Sequence, residues 1–138
     1  MFKVQPVRSR ELQAQLAALL NVPFFENTYA FYAGETNEDG TEITAVIGLC
    51  QFEFSPDKAK IVSIASPNND MTDEAVFIMV RTVMNYCYRA DIPTIVADDN
   101  AADEEYIKTL GFRKDGGEWS IDLKKFYRSP CHYNKDEK

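Results

Sequence analysis

The sequence predicts an α/β fold with a mixed, mostly antiparallel sheet flanked by helices. Three observations carry this. Alternating apolar segments separated by turn residues fill the first half after an early helix. A long helical period then runs from Thr72 to Ala90. A short continuous apolar run, Thr94 to Ala97, follows Pro93, as expected of a strand at the parallel centre of a sheet.

The elements follow in order. Phe2 to Val7 reads as a first strand. Ser9 caps a helix that places Leu12, Leu16, Leu19 and Leu20 on one face, and Asn21, Val22 and Pro23 end it. Tyr29 to Glu35 and Thr44 to Phe54 form an antiparallel pair around Asp39-Gly40, a strong hairpin signal. Ser55-Pro56-Asp57-Lys58 turns the chain into a third meander strand, Lys60 to Ala65. Thr72 caps the long helix, whose stripe of Val76, Met79, Val80, Val83, Met84 and Cys87 is widened by Phe77 and Ile78. After Thr94 to Ala97, Asn100 caps a helix to Leu110, with Gly111 at the left-handed C-cap position. Phe112 to Lys114 and Glu118 to Leu123 close the sheet as a hairpin across Asp115-Gly116-Gly117.

The 138 residues carry 22 acidic and 15 basic side chains, a net charge of −7, and 45% of them are apolar, which suits one self-sufficient core. Residues 2–128 are expected to form that domain and residues 129–138 a flexible tail. An acidic chain releases no counterions from nucleic acid, so DNA and RNA are excluded as partners. The N-terminal segment has no apolar run long enough for a signal peptide or membrane span, which predicts a cytoplasmic protein without membrane contact. Cys50, Cys87 and Cys131 are an odd number at wide spacing, arguing against disulfides and a zinc site; Cys50 and Cys87 read as core. Cys131 adjoins His132, the only histidine, in the tail, a poor setting for a catalytic dyad.

Asn100 to Phe112, reading Asn-Ala-Ala-Asp-Glu-Glu-Tyr-Ile-Lys-Thr-Leu-Gly-Phe, resembles the Asn-x-x-Ala-x-x-Leu-Tyr-x-x-x-Gly-Phe segment of the GNAT (GCN5-related N-acetyltransferase) superfamily, with Asn100, Gly111 and Phe112 in register. The element order agrees over nearly the whole chain. The resemblance implies an acyl-CoA N-acyltransferase-like fold in which acetyl-CoA, as co-substrate, lies between the splayed strands Lys60 to Ala65 and Thr94 to Ala97. Ile64, Ala65 and Ser66 would meet the pantetheine arm together with Asn100, and Ala75 the pyrophosphate at the helix N-terminus. The acceptor it implies is a small-molecule or peptide amine.

Two departures accompany the resemblance. The family's pyrophosphate turn reads Arg/Gln-x-x-Gly-x-Gly/Ala; residues 70–75 here are Asp-Met-Thr-Asp-Glu-Ala, so only Ala75 agrees, and Asp70, Asp73 and Glu74 place three carboxylates where an anion would sit. The family's usual acid is a tyrosine four residues before the Gly of Gly-Phe; that position is Ile107. Tyr106, one residue earlier and about 100° around the helix, is the available candidate. No general base stands out: Glu53 alternates outward on its strand.

Two further clusters have two readings each. Asp98, Asp99, Asp103, Glu104 and Glu105 form either a solvated helix start or an attractor of a cationic amine or metal. Pro23, Phe24, Phe25, Tyr29, Phe31 and Tyr32 either pack in the core or line an acceptor pocket. The function expected is N-acetyl transfer from acetyl-CoA to an amine; the alternative is a catalytically inactive GNAT-like interaction module that has lost CoA binding.

Overall fold

The computed structural model describes residues 1–128; the tail segment, with Cys131 and His132, lies outside the described residues. The chain begins with β1 (Phe2–Pro6) and α1 (Arg10–Leu19), followed by the meander β2 (Tyr29–Thr36), β3 (Ile43–Phe54) and β4 (Lys58–Ala65). Next come α2 (Glu74–Arg89), β5 (Thr94–Ala97), α3 (Glu104–Thr109), β6 (Arg113–Asp115), β7 (Glu118–Asp122) and α4 (Leu123–Arg128). Among the described residues seven strands lie in the order β1-β2-β3-β4-β5-β7-β6, with β4 and β5 the one parallel pair. The mixed, mostly antiparallel α/β sheet expected from the sequence is therefore present. No helix among the described residues is long and apolar enough to cross a membrane.

Strand alternation sends the core to both faces. On one face, Cys50, Phe52, Ile61, Ile95 and Ile121 meet the whole predicted stripe of α2, with Ile107, Leu110 and Leu123 completing the cluster. Each large side chain fully buried there contributes roughly 1.5–3 kcal/mol relative to exposure. On the other face, Leu16, Ala17 and Leu20 of α1 cover Ala30, Leu49 and Ala65.

Gln13, buried beside Leu16 and Ala17, shifts the inner face of α1 away from Leu19, which is 66% exposed rather than packed. The turn from β3 into β4 is tighter than expected, closing by Ser55 N–H to Lys58 O at 2.9 Å, so β4 starts at Lys58. β7 ends at Asp122, whose Oδ1 accepts from Lys125 N–H at 3.1 Å and starts α4, a helix the sequence reading does not contain.

Both predicted caps at the sheet's upper end are displaced. α2 is capped by Asp73, not Thr72: Asp73 Oδ1 accepts from Ala75 N–H at 2.8 Å. α3 starts after Asp103, not Asn100. In both places an aspartate forms a turn with the residue two positions on. Asp70 Oδ1 accepts from Thr72 N–H at 3.0 Å, and Asp98 Oδ2 accepts from Asn100 N–H at 3.0 Å. Such a turn consumes the first capping-type residue and delays the helix.

Candidate functional site

The site begins with an extra residue in β4. Gln51 of β3 stands opposite Ser63, and Phe52 opposite Ile61, so Val62 is a β-bulge. A bulge bends its strand. Here β4 follows β5 only from Lys58 to Ile61, closing with Asp98 N–H to Ile61 O at 2.9 Å. Beyond that bond the strands part, and residues 62–64 floor a cleft of about 500 Å³. Pro23 and Phe25 line it as well, as do Asp98 and residues 100–103. A second hollow, of about 390 Å³, shares Val22, Ile64 and Asn69 with the cleft and is lined also by Leu19, Leu20, Ala65 and Ser66.

Four of the residues expected to meet a cofactor therefore line two neighbouring hollows, Asn100 and Ile64 the first and Ile64, Ala65 and Ser66 the second, together called the groove. Ala75 does not reach it: the residue is 1% exposed. The groove's backbone is partly satisfied by the chain itself. Ile64 N–H, on the edge that β5 has left, donates to Ala101 O at 2.9 Å. The loop that delays α3 thus supplies a peptide carbonyl at the position where an extended ligand would pair with β4.

The N-terminus of α2 is occupied in the same sense. Ala75 N–H points to Asp73 Oδ1, Val76 N–H to Asp73 O, and Thr72 gives both its N–H and its Oγ1 hydrogen to Asp70 Oδ1, the latter at 2.6 Å. These bonds hold the Asp70 carboxyl below its ordinary value. Ser66 Oγ donates to Asp70 O at 2.6 Å, fastening the turn to the end of β4. Asn68 and Asn69 take φ of 55° and 56°, left-handed values that asparagine tolerates better than most residues. Asp73 thus takes one of the helix N–H groups that an anion would otherwise take, and Asp70 takes the Thr72 N–H in the turn before it.

The acidic cluster around α3 is largely paired. Asp98 lies 3.6 Å from Lys60, Asp99 3.4 Å from Lys114, and Glu104 and Glu105 3.7 and 3.6 Å from Lys108. Exposed pairs of this kind add at most about 1 kcal/mol each and leave little net field to draw a cation. Among the described residues no group of three histidine, cysteine or carboxylate side chains is arranged to hold a metal.

Tyr106 does not line the groove. Its hydroxyl is buried with no hydrogen-bond partner among the described residues, and its pKa is pushed up to about 12, first by burial, then by the Cys50 thiol, with Arg81 opposing. Ile107 is wholly buried in the core. The aromatic cluster is divided by strand alternation. Pro23 and Phe25 flank the groove, Phe24 and Tyr32 pack toward α1, and Tyr29 and Phe31 join rings on the α2 face.

The sequence reading missed a buried polar network that holds the groove's wall. Gln51, 0% exposed, accepts from Phe25 N–H at 3.1 Å and from Gln13 Nε2 at 2.9 Å, and donates to Pro23 O at 3.0 Å. Gln13 also donates to Thr28 Oγ1, which in turn donates to Phe25 O. The available signal is two glutamines set within apolar faces, Gln13 on the helix face of Leu16 and Gln51 on the strand face of Leu49.

No protein-family profile and no curated protein matches this sequence. Solved structures do match in fold. A mutant of the spermidine N-acetyltransferase SpeG from Vibrio cholerae superposes with a TM-score of 0.65 at 12% identity, covering 91% of this chain and 96% of that one. A GNAT family acetyltransferase from Elizabethkingia anophelis, solved with acetyl-CoA bound, gives 0.58 at 12% identity over 88% and 97%. A ribosomal-protein-alanine N-acetyltransferase from Escherichia coli gives 0.62 at 14% identity over 88% and 90%. The chain has the GNAT fold, as its element order implied.

Proposed function

We propose that this chain is a cytoplasmic N-acyltransferase-like protein. It takes the acyl-pantetheine arm of acetyl-CoA into the groove opened by the Val62 bulge and transfers the acyl group to a small-molecule or peptide amine. The observation that carries this reading is the parting of β4 from β5, which leaves a groove lined by Ile64, Ala65, Ser66 and Asn100. Neighbours of the same fold act on spermidine and on a protein alanine, so the fold does not select the acceptor.

The pantetheine end fits. A ligand amide carbonyl can replace Ala101 O on Ile64 N–H, exchanging one hydrogen bond for another at little net cost. The amine nitrogen then attacks the thioester carbonyl, the C–S bond breaks, and the amine's proton ends on the departing thiolate, giving an amide and free CoA. Catalysis of this kind rests on positioning; Tyr106, with its hydroxyl enclosed, has no part in this scheme.

The pyrophosphate end does not fit as it stands, because Asp73 already binds the Ala75 N–H and Asp70 holds Thr72. That observation favours the second reading, a GNAT-fold interaction module that has lost CoA binding. Incubation with acetyl-CoA and amines such as spermidine and an alanine-ended peptide, followed by thiol release and by melting temperature, separates the two. Transfer predicts thiol release and a rise of a few degrees with millimolar acetyl-CoA, about 1.4 kcal/mol at tenfold excess over Kd. No shift and no thiol leaves the interaction module.

A further inference from the structure

A hollow of about 460 Å³ lies where β1 gives way to α1, sharing no residue with the acyl-CoA groove. One wall is aromatic. The Tyr86 ring lies 5.7 Å from Phe31 and 6.2 Å from Phe52 between centroids, and Tyr29 lies 6.3 Å from Phe52. Tyr29 is 56% and Tyr86 43% exposed, more than any other aromatic side chain among the described residues. The mouth is cationic. Arg8 and Arg10 line it, and neither forms an ion pair among the described residues, in a chain whose net charge is −7.

The third component is Gln13, which is 4% exposed and lines the same hollow. Its Nε2 gives its two hydrogens to Thr28 Oγ1 and Gln51 Oε1, at 2.8 and 2.9 Å. Its Oε1 accepts no hydrogen bond among the described residues and is not among the buried unpartnered atoms, so that oxygen keeps some exposure on a residue that lines the hollow.

We propose that this hollow binds a small aromatic carboxylate that carries a hydroxyl or amino group beside its carboxylate. Each part of such a molecule has a counterpart. The ring lies against Tyr29, Phe31 and Tyr86, the carboxylate meets Arg8 and Arg10 at the rim, and the adjacent O–H or N–H donates to Gln13 Oε1. The volume is in the range of small-molecule sites, which usually combine apolar walls with a few placed polar groups. A ligand on Gln13 is also tied to the groove, because Gln13 bonds Gln51 and Gln51 holds Pro23 and Phe25.

The test uses the full chain with 3-phenyllactate and phenylalanine as probes, and with lactate (no ring) and 3-phenyl-1-propanol (no carboxylate) as controls. Calorimetry should give a Kd below about 1 mM for at least one acid and at least about tenfold weaker binding of both controls. Amide shifts should appear at Arg10 to Gln13 and Tyr29 to Phe31 and extend to Gln51 and Phe25. Arg8→Gln combined with Arg10→Gln, both at exposed positions, should weaken the acid at least about tenfold while the melting temperature holds. The proposal is overturned by absence of heat and shifts with about 10 mM of either acid. Equal affinity for the alcohol, or an affinity the arginine substitutions leave unchanged, overturns it too.

Discussion

Asp73 carries opposite consequences for stability and for cofactor affinity. Its Oδ1 caps α2 through Ala75 N–H at 2.8 Å, and its charge faces the helix's positive end. Replacement by alanine removes a cap worth about 1 kcal/mol and a helix-dipole term of about 0.3–1 kcal/mol, together near 1.5 kcal/mol. For a chain of this size that lowers the melting temperature by roughly 5 °C. Asp73→Asn keeps a capping oxygen and loses only the dipole term, so it should cost less than 1 kcal/mol. For a diphosphate at this helix end, removing one carboxylate some 6 Å from two phosphate charges relieves about 1.4 kcal/mol in water, or tenfold in Kd. Urea denaturation reads the first effect. Calorimetry with acetyl-CoA and with acetyl-pantetheine reads the second, and only the phosphate-bearing ligand should gain. If Asp73→Asn leaves the ratio of the two affinities unchanged, the α2 N-terminus is not where the pyrophosphate sits.

Three other outcomes follow from the packing. Burial raises the Cys50 thiol, raises Cys87 to about 11 and raises Tyr106 to about 12, so the folded state keeps protons that the unfolded chain releases. Stability from these groups is complete below the unfolded thiol value near 8.5 and is lost as pH rises beyond it, by about 1.4 kcal/mol per pH unit for each ionising group; urea midpoints between pH 8 and 10.5 check the slope. Gln51→Leu leaves Phe25 N–H, Pro23 O and one Gln13 hydrogen without partners and should cost about 3 kcal/mol, with faster amide exchange at Phe25; a loss within about 0.5 kcal/mol would refute the network's role. Gly48→Ala puts a Cβ 3.1 Å from Met79 Cε and 3.2 Å from Ala65 O, crowding α2 against the sheet, and should destabilise by about 1–2 kcal/mol in thermal denaturation.

The extent to which the sequence was readable follows from where local and long-range forces agree. The α2 stripe and Thr94–Ala97 match the structure because their apolar period is also their burial pattern. Gly111, at φ 107°, sits where a left-handed residue must end α3. The displaced helix starts have one cause, the turns of Asp70 and Asp98 on the second residue onward, which compete for the residues that looked like caps. The Val62 bulge left a trace in the strand itself: the residues facing α2 run Ala59, Ile61, then Ile64, a break in alternation. What no local pattern encodes is the pairing of Ala101 O with Ile64 N–H across the groove, since it depends on how two loops meet.

Amide chemical-shift mapping during an acetyl-pantetheine titration of the full chain tests the assignment of the groove most directly. The account predicts saturable shifts centred on Val62 to Ser66 and Asn100 to Ala102, with the Ile64 amide moving most as it exchanges Ala101 O for the ligand. Saturable shifts that leave Ile64 and Ala101 untouched, or no shifts at millimolar ligand, would contradict it.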